Sequence, residues 1–141
     1  MDMQLKGKNA IILGGTRGIG RAIADMLARN PDQVAEAIKD LEAMGVKATG
    51  ASVDITDGAA LKSFIADAGK TLGGLDILIS NAGAMAQGND EAAWKQNFEL
   101  DILGAVNAFE AAQPLLAQAA EASGDAAFVI ISSISAAQSD R

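Results

Sequence analysis

Short apolar runs alternate with amphipathic segments along the chain. Runs of strand length lie at residues 9–15, 75–80 and 126–132, and a weaker run, interrupted by Gly50, lies at 46–53. Strands that are apolar throughout are typical of a parallel sheet with both faces covered, because neither side of such a strand meets water. The pattern therefore predicts a parallel sheet with helices on both faces.

Helical periodicity fills the intervals between these runs. The predicted helices cover residues 18–29, 30–45, 61–72 and, as one long helix, 91–122. Gly45 and Gly73 supply stop signals, and Pro114 should kink the long helix. Since strands alternate with helices, the 141 residues are expected to form a single domain, a doubly wound parallel α/β sheet of the Rossmann type.

The amino-acid composition argues against several classes of function. The net charge is -7 and no block of Lys or Arg occurs, which argues against nucleic acid or an anionic membrane as partner. Cysteine and histidine are both absent, so these residues can form neither a disulfide nor a Cys/His metal site, and no metal is expected. Without a signal-peptide segment or a membrane-length apolar run, a cytoplasmic protein is expected.

Three glycines interrupt the chain where the first strand should turn into the first helix. Gly14, Gly18 and Gly20 stand in "LGGTRGIG". Glycines there let a pyrophosphate approach the backbone, and the helix that follows offers free N–H groups and a favourable dipole. The position favours a nucleotide site, and the alternative is a tight turn with no ligand.

Four motifs resemble those of the short-chain dehydrogenases/reductases and occur in the same order as in that family. "LGGTRGIG" at residues 13–20 is similar to the family's cofactor loop, with Leu13 where threonine is usual. "DIT" at 54–56 resembles the acidic segment that contacts adenine, and "SNAG" at 80–83 resembles the N-N-A-G motif. "VIISSISA" at 129–136 resembles the strand that carries the catalytic serine. Together the motifs span nearly the whole chain.

The resemblance implies a nicotinamide cofactor, NADP or NAD. Arg17 could bond a 2′-phosphate and favour NADP, with Arg29 as a second contact, although a solvated surface arginine is the alternative for Arg17. Asp54 could accept a hydrogen bond from adenine or could cap the next helix instead. The implied cofactor residues are Gly14, Thr16, Arg17, Gly18, Ile19, Arg29, Asp54, Ile55, Asn81, Ala82 and Gly83.

The same resemblance implies hydride transfer between the nicotinamide and a small carbonyl compound or secondary alcohol. Ser133 matches the serine that binds the substrate oxygen, with Ser132 as its neighbour. Asp101 stands where the family commonly has an asparagine of the proton path. It is expected on a mostly apolar helix face, half-buried, and is the second candidate catalytic residue. The alternative is that Asp101 is a tolerated replacement for the asparagine, and that its backbone carbonyl, not its side chain, takes part in the proton path.

Two family features are missing from the sequence. No apolar β-branched run occurs between Met26 and Gly45, where the second strand belongs, and the sequence contains no tyrosine, so the Y-x-x-x-K motif is absent. The fold is therefore expected to be incomplete. The alternative function is a non-catalytic nucleotide-binding module or a truncated half-domain. A receiver-like domain is disfavoured, because the acidic cluster for metal-dependent phosphorylation is lacking.

The resemblance also implies assembly. Members of the family commonly form dimers or tetramers through their long helices, so a homodimer or homotetramer is expected. Ala105, Phe109 and Ala112 could contribute to such an interface. A packed core face inside one subunit would explain the same residues.

Overall fold

The computed structural model of the chain describes residues 8–14, 53–81, 83 and 88–131. Three strands, three α-helices and a short π-helical segment make up this part. In chain order they are β1 (Ala10–Leu13), α1 (Gly58–Leu72), β2 (Ile77–Ser80), α2 (Glu91–Asn97), the π segment (Phe98–Leu103), α3 (Gly104–Ser123) and β3 (Ala127–Ile130).

The three strands form a parallel sheet in the order β1-β2-β3. The register places Ile11 beside Leu78, and Leu78 beside Phe128. Each pair of neighbouring strands is separated in sequence by helices, which parallel pairing requires. The predicted parallel α/β fold is confirmed.

The core lies between one face of this sheet and helices α1 and α3. Its buried members are Ile11, Leu13, Leu61, Ile65, Ala68, Leu72, Leu75, Leu78, Ala108, Ala112 and Leu116. Four of the largest side chains, those of Leu61, Ile65, Leu75 and Leu78, are fully enclosed. Each buried side chain of this kind contributes about 1.5–3 kcal/mol, so this face stabilises the framework that positions the loops.

Helix α1 has strong local signals at both ends. The Asp57 side chain accepts hydrogen bonds from the N–H groups of Ala59 and Ala60, which makes it the N-cap. Gly73 ends the helix with a left-handed φ of 83°, a conformation that favours glycine. The predicted end at Gly73 is confirmed. The capping role considered for Asp54 belongs to Asp57 instead.

The predicted long helix is continuous but not uniform. Helices α2 and α3 are joined by the π segment, in which the N–H of Gly104 donates to the carbonyl of Glu99, five residues back. Helix α3 includes Pro114 within its span. A π-helical turn holds an additional residue and so changes the phase of the helix that follows. None of the described helices is long and apolar enough to cross a membrane.

Several expectations fall outside the described residues. They are the predicted helices at 18–29 and 30–45, most of the weak strand at 46–53, and the place of the missing second strand. The single-domain assignment therefore stays a prediction.

Candidate functional site

The carboxyl ends of β1 and β2 are tied together by Asn81. Its backbone N–H donates to the carbonyl of Leu13 over 3.0 Å, and its side-chain Nδ2 donates to the carbonyl of Gly14 over 3.0 Å. Ile131, after β3, donates its N–H to the carbonyl of Ser80 over 2.9 Å. Ligands of open α/β sheets bind at this edge, so the candidate site begins here.

Gly14 begins the glycine-rich loop and has a φ of 77°. This left-handed conformation is open to glycine at little cost, whereas a side chain would strain it. This conformation agrees with a change of chain direction directly after the first strand, as the glycine pattern predicts. The other predicted residues of this loop, Thr16, Arg17, Gly18 and Ile19, lie outside the described residues, as does Arg29.

Asp54 lies in a tight turn before helix α1. Its Oδ1 accepts hydrogen bonds from the N–H of Thr56 over 2.9 Å and from the Thr56 hydroxyl over 2.7 Å. The N–H of Asp57 donates to the carbonyl of Asp54 over 3.1 Å and closes the turn. Aspartate commonly bonds its own backbone two residues on in this way. The Asp54 carboxylate is thus exposed yet oriented by Thr56.

Asp101 lies in the π segment and reaches the loop that follows β2. A Cβ built on Gly83 would lie 3.2 Å from Oδ1 of Asp101, so the carboxylate lies against the backbone of the "SNAG" loop. The residue is exposed, and the expected half-burial is wrong. Phe98, whose helix face Asp101 was expected to share, is itself exposed. The structure nevertheless brings Asp101 to the edge where the site was predicted.

Ile55 contacts the long helix at Gly104. A Cβ built on Gly104 would lie only 2.7 Å from Cγ2 of Ile55, so the isoleucine occupies the space that any larger residue would need. Gly104 is buried. Sequence reasoning missed this contact, although an isolated glycine inside a predicted helix is a known sign of close packing.

The described residues thus bring together part of the predicted site. Gly14, Asn81, Gly83 and Asp101 lie around the carboxyl ends of β1 and β2, and Ile55 is packed on the helix that carries Asp101. Ala82 and Ser133 lie outside the described residues. Among the residues that are described, no group of three or more acidic side chains could hold a metal ion.

A parallel sheet whose first strand leads into a glycine with a left-handed φ is typical of open α/β proteins, which bind ligands at the carboxyl edge of the sheet. A sequence model of the family described as short chain dehydrogenase matches residues 8–140. The chain belongs to the short-chain dehydrogenase family, as the four motifs predicted.

Three similar proteins illustrate the relationship. Isoepoxydon dehydrogenase of Aspergillus clavatus is 29% identical over 132 residues, which are 84% of this chain and 51% of that protein. The NADH-dependent reductase A1-R′, solved in complex with NAD, has a TM-score of 0.86 at 28% identity, covering 96% of this chain and 64% of that one. A short chain dehydrogenase from Burkholderia cenocepacia, solved with NADP, has a TM-score of 0.72 at 26% identity, covering 78% and 51%. The chain spans about half the length of isoepoxydon dehydrogenase.

Proposed function

We propose that this chain is the cofactor-binding part of an NAD(P)-dependent oxidoreductase. The proposed reaction is hydride transfer between the nicotinamide and a small carbonyl compound or secondary alcohol. The observation that carries the proposal is the Asn81 tie, which fixes the left-handed Gly14 turn at the carboxyl edge of the sheet. Such an edge suits a dinucleotide, because a glycine leaves the backbone accessible to a pyrophosphate.

The proposed cofactor contacts follow the motifs. Gly14, Thr16, Gly18 and Ile19 hold the pyrophosphate, and Arg17 and Arg29 hold a 2′-phosphate, which makes NADP the preferred cofactor and NAD the alternative. The oriented carboxylate of Asp54 and the backbone of Ile55 meet the adenine. The "SNAG" residues Asn81, Ala82 and Gly83 meet the ribose. The related structures with NAD and NADP support either dinucleotide.

Two residues carry the proposed catalytic roles. Ser133 binds the substrate oxygen, and Asp101 orients water or a neighbouring cation beside Gly83, where an asparagine is common in the family. When bound, the nicotinamide supplies or accepts the hydride. The sequence contains no tyrosine. The proposed roles of this chain are therefore to bind the cofactor and the substrate oxygen and to orient polar groups, and the role of the tyrosine in the Y-x-x-x-K motif is not assigned to it.

A homodimer or homotetramer is the proposed assembly, in the cytoplasm. Helices α2 and α3 and the π segment expose a row of large apolar side chains: Trp94, Phe98, Ile102, Val106 and Phe109. Apolar rows of this size on a surface favour association between proteins. Ala112 is fully buried in the core, so its role lies within the subunit and the proposed interface uses Phe109 instead.

Dinucleotide binding tests the proposed function. We expect the full-length protein to enhance the fluorescence of NADPH, and of NADH more weakly, in a saturable titration. Asn81→Ala should raise Kd about tenfold, because it frees the carbonyl of Gly14 and loosens the turn, a loss worth roughly 1–3 kcal/mol. The matched control is Asn9→Ala at the opposite end of β1, which should leave Kd unchanged. A protein that binds neither dinucleotide would overturn the proposal.

A further inference from the structure

The loop that carries Asp54 is attached to the long helix at two points. Ile55 lies on Gly104, where an added Cβ would come within 2.7 Å of the isoleucine Cγ2. Gly58, at the start of α1, lies against Asn107, where an added Cβ would come within 2.9 Å of Nδ2. Gly104 and Asn107 are three residues apart and therefore share one face of α3.

The side chains at these two contacts differ in how easily they can move. The Asn107 amide is the far end of a rotatable side chain and can move aside. The Cγ2 methyl of Ile55 is bonded directly to a β-branched carbon whose χ1 is stiff, so it moves only with the backbone of the turn. The Ile55–Gly104 contact is therefore the one that determines the position of the turn.

The π segment ends at this contact. Gly104 donates its N–H to the carbonyl of Glu99, the five-residue bond that closes the segment. The segment also carries Asp101, which lies against Gly83. One short stretch of helix thus holds the turn on the proposed adenine side and the carboxylate on the proposed catalytic side.

We propose that Gly104 is a positioning residue for the dinucleotide: the space it leaves for Ile55 sets the place of the Asp54–Thr56 turn and so the affinity for the adenine half. This inference rests on the proposed function. The proposed effect of Gly104 is indirect, because it acts through Ile55. The hydrogen bonds from Thr56 and Asp57 to Asp54 lie within the turn, so they set its shape, whereas the contact of Ile55 with Gly104 joins it to the long helix.

The test compares two glycine-to-alanine variants in the full-length protein. Gly104→Ala forces Ile55 outward. The matched control, Gly69→Ala, places a Cβ 2.6 Å from Cδ1 of Leu115, where helix α1 packs against the same long helix. Leu115 Cδ1 is the end of a flexible side chain, and Gly69 lies in the last turns of α1, at the other end of that helix from the Asp54 turn.

NADPH titration and thermal unfolding are measured for each variant. We expect Gly104→Ala to raise the Kd for NADPH about tenfold, the size of a modest overpacking cost, and Gly69→Ala to change it less than about twofold. If both variants lost affinity for NADPH equally and in proportion to their loss of stability, the inference would be overturned. A wild-type protein that binds no dinucleotide would overturn the proposed function itself, which separates the two failures.

A rescue variant makes the steric cause explicit. Leucine has no methyl group on its Cβ, so Ile55→Leu removes Cγ2 and keeps the side-chain volume. In the Gly104→Ala background it should return Kd to that of Ile55→Leu alone. A double variant no better than Gly104→Ala would contradict the inference. If Gly104→Ala alone does not fold, the double variant still decides: folding with restored affinity supports the inference, and failure to fold overturns it.

Discussion

The two ends of the sheet carry the same kinds of polar residue and use them differently. At the amino end, the Asp76 carboxylate accepts from the N–H of Asn9 over 2.8 Å and from the ammonium of Lys8 over 3.4 Å. Lys8 also donates to the hydroxyl of Ser123 over 2.8 Å. These groups satisfy one another and join β1, the start of β2 and the end of α3.

The two acidic residues of the predicted site are more exposed. Asp54 and Asp101 are both exposed, one in a tight turn and one beside the backbone of Gly83. Asp76, by contrast, has a side chain only 14% exposed. The comparison teaches that residue type alone does not mark a site. What distinguishes the carboxyl end is polar groups held in place by the chain yet open to solvent.

The largest predicted effect is on stability, and it comes from the sheet core that supports both ends. Leu78 is fully buried in the middle strand, so Leu78→Ala should destabilise the protein by about 2–5 kcal/mol. Urea unfolding measures the change. Val129→Ala in β3, a site 39% exposed, is the control and should cost much less. Equal losses for the two variants would contradict the assignment of the core to the α1–α3 face of the sheet.

The amino end should matter for stability alone. Asp76→Ala removes the acceptor of the Asn9 N–H and, among the described residues, leaves the Lys8 ammonium with Ser123 alone, so we expect a loss of about 1–3 kcal/mol in unfolding free energy. The Kd for NADPH should change less than about twofold, since the change lies at the opposite end of the strands. Asp67→Ala is the control, because its pair with Lys70 is largely exposed and contributes little. A tenfold weaker affinity for NADPH in Asp76→Ala would contradict the claim that the amino end affects stability alone.

The smallest predicted effect on stability belongs to Asp101. An exposed side chain should contribute within about 0.5 kcal/mol to stability. If the carboxylate orients water or a cation in the site, Asp101→Ala should lower kcat about tenfold or more, and Asp101→Asn should keep most of the activity. NADPH oxidation with a carbonyl substrate measures kcat, and Glu99→Ala in the same segment is the control. Unchanged kcat in Asp101→Ala would favour the alternative in which only the backbone carbonyl acts.

Local chemistry explains what could be predicted from the sequence. The three strands each lie within the run that the pattern predicted, Gly14 has the left-handed φ that a glycine allows, and helix α1 ends at Gly73 as predicted, because these features depend on residues a few positions apart. The N-cap was less certain, because Asp54 and Asp57 both precede α1, and only the hydrogen bonds identify Asp57.

Tertiary packing explains what was missed. The predicted long helix was continuous, so the phase of its buried face was extended through residues 98–103, where the π segment changes it. Asp101 was expected to be half-buried on the face that it shares with Phe98, and both residues are exposed. The Ile55–Gly104 contact joins segments 49 positions apart, and nothing in either segment alone indicates its partner.

The most direct test of the account compares the two ends of the sheet in one assay. The Kd for NADPH is measured in the full-length protein for the wild type, for Asn81→Ala at the carboxyl end and for Asp76→Ala at the amino end. We expect Asn81→Ala to weaken binding about tenfold and Asp76→Ala to change Kd less than about twofold, even if the Asp76→Ala protein unfolds at a lower temperature. Equal weakening in both variants, or none in Asn81→Ala, would contradict the assignment of the cofactor site to the carboxyl end.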